Sequence, residues 1–252
     1  MTFNNGAPKI PLDYLEQGHD ITPCDNKIPI LSKWQNKVIK KDEWNDKYIS
    51  HNIGLKLGGK TDIDIDNHIV KKFIEVGVYD CESIKLWRDY FINSDIIAFE
   101  YDLPYSLERL GDTNRDRLTF IDGDQSKEED LIKFSETYSN VDVILDDGSH
   151  KMRDQQITLA KLFKMLKSGG IYILEDLHTS FEVVIPEKSW CGWGDSSKTI
   201  TLNMLETFKE TGKIESDYMT QDEMDYLSEN IKSVEIYKNK PDWSVTSVII
   251  KK

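Results

Sequence analysis

Two short apolar runs, each closed by acidic residues and separated by a stretch with helical spacing, constrain this chain more than any other feature. Val141-Asp142-Val143-Ile144-Leu145 leads into Asp146-Asp147-Gly148-Ser149-His150, and Gly170-Ile171-Tyr172-Ile173-Leu174 leads into Glu175-Asp176. Runs this short, rich in β-branched residues and followed by charge, read as buried strands of a parallel sheet whose carboxyl ends carry polar groups. Between them, Lys151 to Lys167 places Ile157, Ala160, Leu162, Phe163 and Leu166 on roughly one helical face, and Ser168-Gly169-Gly170 is expected to stop that helix. The unit is strand, helix, strand with a right-handed crossover. If the two strands are neighbours, about 5 Å apart, then Asp147, Glu175 and Asp176 converge on the rim where open α/β sheets bind ligands.

Three more segments repeat the pattern. Phe73 to Val78 reads as a strand, followed by helical spacing of Ile84, Leu86, Trp87 and Phe91 within Glu82 to Phe91. Asp95 to Glu100 is the next strand and ends in an acid. Leu118 to Ile121 is the third, followed by the turn Asp122-Gly123-Asp124-Gln125-Ser126 and a helix through about Tyr138. Five strands in this alternation predict an α/β, doubly wound, Rossmann-like and mostly parallel sheet. Ser233 to Tyr237 and Val245 to Ile250 flank a turn-forming stretch and predict an antiparallel hairpin at one edge. Residues 1–68 form a small N-terminal appendage in this reading, and 69–252 the main domain.

Composition narrows the function classes. A net charge of −13 disfavours nonspecific binding to nucleic acid or anionic membrane, because both require cationic patches. Cys24, Cys81 and Cys191 show no pairing or metal-ligand spacing, which argues for a reducing compartment and against zinc. There is neither an apolar N-terminal leader nor a run of about 18 apolar residues, so a cytoplasmic protein with no membrane span is expected. A homo-oligomer stays open on composition alone.

The first strand ends in an acid-x-glycine step, Glu75-Val76-Gly77, and the second ends in Glu100. A nucleoside ligand needs a turn with closely approaching backbone and a carboxylate that accepts from ribose hydroxyls. From about Val70 onward the chain resembles class I S-adenosylmethionine-dependent methyltransferases, and more narrowly the metal-dependent sugar O-methyltransferases of macrolide tailoring and polysaccharide modification. The resemblance rests on Glu75 to Tyr79, Ser83 to Trp87, Gly123 to Ser126, Asp146 to His150 and Gly169 to Asp176. It implies S-adenosyl-L-methionine as cofactor, with Glu75 and Gly77 at the methionine side, Glu100 at the ribose, and Asp124 with Gln125 at the adenine end. It further implies Mg²⁺ or Mn²⁺ held by Asp147, Glu175 and Asp176, His150 as catalytic base, and a small-molecule or glycan substrate. Three converging carboxylates fit this, since they repel unless a cation neutralises them and their oxygens suit hard divalent ions.

Plainer readings stand beside these. The acids are also ordinary solvated strand ends or helix caps, Asp146 is compatible with a structural role, and His150 with a backbone-bonded residue at a helix start. Asp122 to Ser126 equally reads as a turn with an N-cap, and His178 as a loop histidine. Relatives usually carry glycines where this chain has Cys81 and Glu82, which leaves a noncatalytic, degenerate binding module as an alternative. Trp190-Cys191-Gly192-Trp193-Gly194 reads either as a lid for a sugar face or as a loop pinned by its own tryptophans. Finally, Ile28 to Trp34, Asp42 to Trp44, Asn52 to Gly59 and Asp62 to Asp66 are similar to the opening of primase-polymerase domains, where Asp64 and Asp66 match metal-binding acids. The rest of that core is missing, so a strand with alternating exposed acids is the preferred reading, with nucleotide or nucleic-acid binding as its alternative.

Overall fold

The computed structural model describes residues 70–180, 198–238 and 245–252. The N-terminal appendage, the Trp190–Gly194 loop, Cys24 and Cys191 lie outside the described residues, as does the turn between the last two strands. In chain order the elements are β1 (Lys72–Val76), α1 (Glu82–Tyr90), β2 (Asp95–Glu100), α2 (Leu103–Leu110), β3 (Leu118–Asp122), α3 (Glu128–Thr137), β4 (Val141–Asp146), α4 (Met152–Leu162), β5 (Leu166–Leu174), α5 (Thr201–Thr211), α6 (Gln221–Asn230), β6 (Ile231–Lys238) and β7 (Val245–Lys251).

The described strands form one sheet in the order β3-β2-β1-β4-β5-β7-β6. The first five are mutually parallel, and β7 runs antiparallel between β5 and β6. The expected hairpin therefore forms, with its second strand on the inside. This is the Rossmann-like arrangement, and its strand order reverses between β1 and β4, where open α/β sheets place their ligand crevice. No helix among the described residues is long and apolar enough to cross a membrane.

Period-two alternation divides the core between the two faces of the sheet. Ile74, Val76, Ile97, Phe99, Ile144, Tyr172 and Leu174 face one cluster, packed with Leu131 and Phe134 of α3 and with Leu159 and Leu162 of α4. Phe73, Ile96, Ala98, Val143, Leu145 and Ile173 face the other, against Ile84 and Trp87 of α1. Because helices cover both faces, the central strands carry apolar residues toward both, and the acids within them, Glu75 in β1 and Asp142 and Asp146 in β4, are themselves buried.

The boundaries that differ most in consequence from the sequence expectation are those of the helix after β4 and of β1. The helix predicted from Lys151 to Lys167 ends at Leu162, passes through a 3₁₀ turn at Phe163–Met165, and gives way to β5. Leu166 continues the helical spacing, but it pairs with Val141 across the sheet, and Gly169 (φ +74°) lies inside the irregular start of β5 without stopping a helix. Likewise β1 stops at Val76, two residues earlier than predicted, because Gly77 turns the chain with φ +80°.

Candidate functional site

The site is built where strand ends meet. Val76 pairs with Asp146 and Asp146 with Leu174, so the loops after β1, β4 and β5 leave the sheet side by side. Backbone hydrogen bonds lace them together: Asp147 N donates to Val76 O at 2.9 Å, Glu175 N to Asp146 O at 3.0 Å, and Gly77 N to Phe99 O at 2.9 Å. The expected neighbouring of Asp147 and the Glu175-Asp176 pair is therefore found.

The cluster itself differs in membership from the expected trio. One ligand atom from each of Asp147, His150 and Asp176 lies within 4.8 Å of the others, all three side chains being partly buried. His150 Nε2 is 3.6 Å from Asp176 Oδ2. Both residues have left-handed backbone, φ 57° at His150 and 54° at Asp176, a conformation that costs a non-glycine residue roughly 1–2 kcal/mol. Glu175 is 5% exposed and stands outside this cluster, with its carbonyl accepting from Gln155 Nε2 at 3.3 Å. Two carboxylates and an imidazole form a donor set that suits Mn²⁺ and, through the carboxylates, Mg²⁺.

Asp146 is a support beneath the cluster. It is 2% exposed and accepts from Tyr172 Oη at 2.9 Å and Gln125 Nε2 at 2.7 Å. Burial pushes its pKa up to about 6, with the hydrogen bonds from Tyr172 and Gln125 and the nearby His150 acting against that rise. The same burial, together with the Asp146 charge, raises the Tyr172 phenol well above its ordinary value. A folded-state pKa above the ordinary 3.8 means that the folded protein holds this proton more tightly than the unfolded chain. This contribution to stability is full below pH 4, declines as pH rises through 6, and amounts to roughly 3 kcal/mol. Asp146→Asn is expected to lack that dependence. Urea unfolding of wild type and variant at pH 4 and pH 7 checks it; a difference between the two proteins that stays constant with pH would refute the assignment.

The residues expected around the cofactor adopt other partners. Glu100, 4% exposed, accepts from Val78 N at 2.7 Å, Tyr79 N at 3.1 Å and Asp102 N at 3.0 Å, so its carboxylate braces the turn after β1. Three of about four acceptor positions on a carboxylate are thereby used. Glu75 is fully buried and accepts from Ser83 Oγ at 3.0 Å. Gly77 does provide a close approach, but to this chain's own loop: a Cβ there would stand 2.5 Å from Gly148 Cα and 2.6 Å from Asp147 O. Asp124 accepts from Ser126 N at 2.9 Å and Ser126 Oγ at 2.7 Å, the plain turn reading, although α3 has no side-chain cap. Gln125 is 7% exposed and bonded to Asp146 and to Ser149 N at 2.7 Å.

Cys81, where the resemblance implies a glycine, has the left-handed backbone that glycine favours (φ 64°). Its thiol is buried, donates to Ser106 O at 3.3 Å, and has its pKa pushed up to about 12, mainly by burial and then by Glu75. Glu82 opens α1 on the exposed side, paired with Lys85 at 2.7 Å.

Sequence reasoning missed Tyr172, Ser149 and Asp154 as parts of the site. For Tyr172 a signal was present: a tyrosine inside a strand buried on both faces needs a partner for its hydroxyl.

No protein-family model matches the chain. It is 32% identical over 99 residues to the 8-demethyl-8-(2-methoxy-alpha-L-rhamnosyl)-tetracenomycin-C 3'-O-methyltransferase of Streptomyces olivaceus, covering 39% of this chain and 24% of that protein. It is 28% identical over 112 residues to the mycinamicin VI 2''-O-methyltransferase of Micromonospora griseorubida, covering 44% and 25%. The matches thus span about a quarter of these relatives' length. Among solved structures, the MycE methyltransferase of the mycinamycin biosynthetic pathway, in complex with Mg and SAH, superposes with TM-score 0.56 at 20% identity, over 81% of this chain and 49% of that one. The described part of this chain therefore has the Rossmann-like α/β fold shared with the MycE methyltransferase, and the two relatives in sequence named above are O-methyltransferases.

Proposed function

We propose that this chain is an S-adenosylmethionine-dependent, divalent-metal-assisted O-methyltransferase that acts on a sugar hydroxyl of a glycosylated small molecule or glycan. The observation that carries the reading is the meeting of Asp147, His150 and Asp176 at the β4–β5 rim, beside the β1–β4 switch point. The relatives named above, and a MycE structure in complex with Mg, SAH and mycinamycin VI, support it. In this reading Asp147 and Asp176 hold the cation, and Glu175 completes the set implied by the family if its buried side chain turns outward. When bound, S-adenosylmethionine supplies an already activated methyl group, and the cation lowers the pKa of a hydroxyl that it holds. His150 then needs only to take the hydroxyl proton on its imidazole. Asp176, 3.6 Å from Nε2, stabilises the imidazolium that results.

The experiment is titration calorimetry of the protein with SAH, with and without Mg²⁺; absence of heat in both sinks the reading. A second reading, a noncatalytic module of the same fold, is favoured by Cys81, by Glu82 and by the engaged Glu100. Glu82→Gln removes an exposed charge beside the methionine end of the crevice, and is expected to tighten SAH binding about 2- to 5-fold at low salt and less at high salt. A gain on the order of 100-fold or more in Cys81→Gly with Glu82→Gly would favour the noncatalytic module.

A further inference from the structure

The loop that carries Asp147 and His150 is clamped from two directions by residues outside the cluster. From the turn after β3, Gln125 inserts a buried amide: Nε2 donates to Asp146 Oδ1 at 2.7 Å, and Oε1 accepts from Ser149 N at 2.7 Å. The amide lies so close over Gly148 that a Cβ there would overlap Oε1. From the first turn of α4, Asp154, 2% exposed, accepts from Ser149 Oγ at 2.8 Å. Arg153 Nη1 joins the two sides, donating to Asp154 Oδ1 at 3.0 Å and to Ser126 O at 3.1 Å. Ser149 is therefore fixed through both its backbone and its side chain, and the next residue is His150 in its left-handed conformation. Such a backbone persists only where the surroundings over-determine it.

We propose that Gln125 is a positioning residue for the cation and base site, acting with Ser149 and Asp154 to hold the 147–150 loop in the shape that sets Asp147 and His150 beside Asp176. This rests on the metal-assisted reading above and departs from the family-implied place of Gln125 at the adenine end. A group that orients a metal ligand without touching the ion changes affinity about 10- to 100-fold when lost.

The test measures Mn²⁺ binding by electron paramagnetic resonance, SAH binding by calorimetry, and the thermal midpoint, in wild type, Gln125→Met, Ser149→Ala and Ser149→Thr. Gln125→Met keeps the side-chain length and removes both hydrogen bonds. The expected result is Mn²⁺ affinity lowered about 10-fold in a folded Gln125→Met protein, with SAH affinity changed less. Ser149→Ala is expected to weaken Mn²⁺ in the same direction, and Ser149→Thr, which retains the hydroxyl, to restore it. If Gln125→Met does not fold, the serine pair decides. A lowered midpoint with unchanged Mn²⁺ affinity overturns the proposal and makes Gln125 a stability residue only. Lost SAH affinity with intact Mn²⁺ binding also overturns it, returning Gln125 to the cofactor. A wild type that binds no Mn²⁺ sinks the metal reading and the proposal together, whereas wild-type binding left unchanged in Gln125→Met and Ser149→Ala sinks the proposal alone.

Discussion

Gly77→Ala is expected to destabilise the protein by about 3–5 kcal/mol, a large part of the stability of a typical domain. Two costs combine. The φ of +80° charges any L side chain about 1–2 kcal/mol. The new Cβ also meets backbone, Gly148 Cα at 2.5 Å and Asp147 O at 2.6 Å, and no rotamer change relieves a clash with backbone. The loops cannot simply part, because Val76 is in register with Asp146 and the 2.9 Å bonds Asp147 N to Val76 O and Gly77 N to Phe99 O pin them. Gly212→Ala is the matched control: its φ is +73°, but nothing lies within 4 Å of the added Cβ, so only the backbone cost of about 1–2 kcal/mol remains. Urea unfolding of both variants measures the difference. Equal losses at the two positions would show that the β1 and β4 loops are not in the close contact described.

The same contact illustrates what the sequence disclosed and what it concealed. A glycine after an acid at a strand end signals a close backbone approach, and that approach exists, but the residue types do not say whether a ligand or another loop is the partner. Glu100 poses the same problem. A carboxylate at the end of β2 accepts equally well from ribose hydroxyls or from the N–H groups of Val78, Tyr79 and Asp102. The strands were legible because two-sided burial forces continuous apolar runs, whereas the neighbouring of β4 and β5 stood only as a condition in the sequence, since the crossover rule sets the hand of the connection and not which strands pair. The helix α2 was not legible: its eight residues, Leu103–Leu110, bury only Ser106 and Leu110, and its start depends on Asp102 accepting from Tyr105 N, with a proline in the first turn. The early end of α4 was hidden for the opposite reason. Leu166 satisfies the helical period, and only the strand partner Val141, distant in sequence, draws it into the sheet.

Asp147→Asn is expected to abolish stabilisation by Mn²⁺ while leaving the metal-free protein at least as stable as wild type. The second half of that expectation follows from charge. Two carboxylates whose oxygens lie within 4.8 Å of each other repel by on the order of a few kcal/mol at an effective dielectric near 20, and by less here because solvent reaches them. Neutralising Asp147 removes this repulsion along with the ligand. A destabilised apo protein would mean that Asp147 serves the fold. For wild type, Mn²⁺ at 100 times its dissociation constant should add about 2.7 kcal/mol, readable as a shift of the thermal midpoint. His150→Ala should keep most of that shift and instead lower methyl transfer to a glycosylated acceptor by about 10²- to 10⁴-fold, the contribution of a general base. If His150→Ala loses the shift as fully as Asp147→Asn does, the imidazole is a ligand and the base lies elsewhere. Glu175→Gln decides the remaining member. Its side chain is buried outside the cluster, so the present geometry predicts a retained shift, whereas a lost one would mean that the ion draws Glu175 out of the core to complete its coordination.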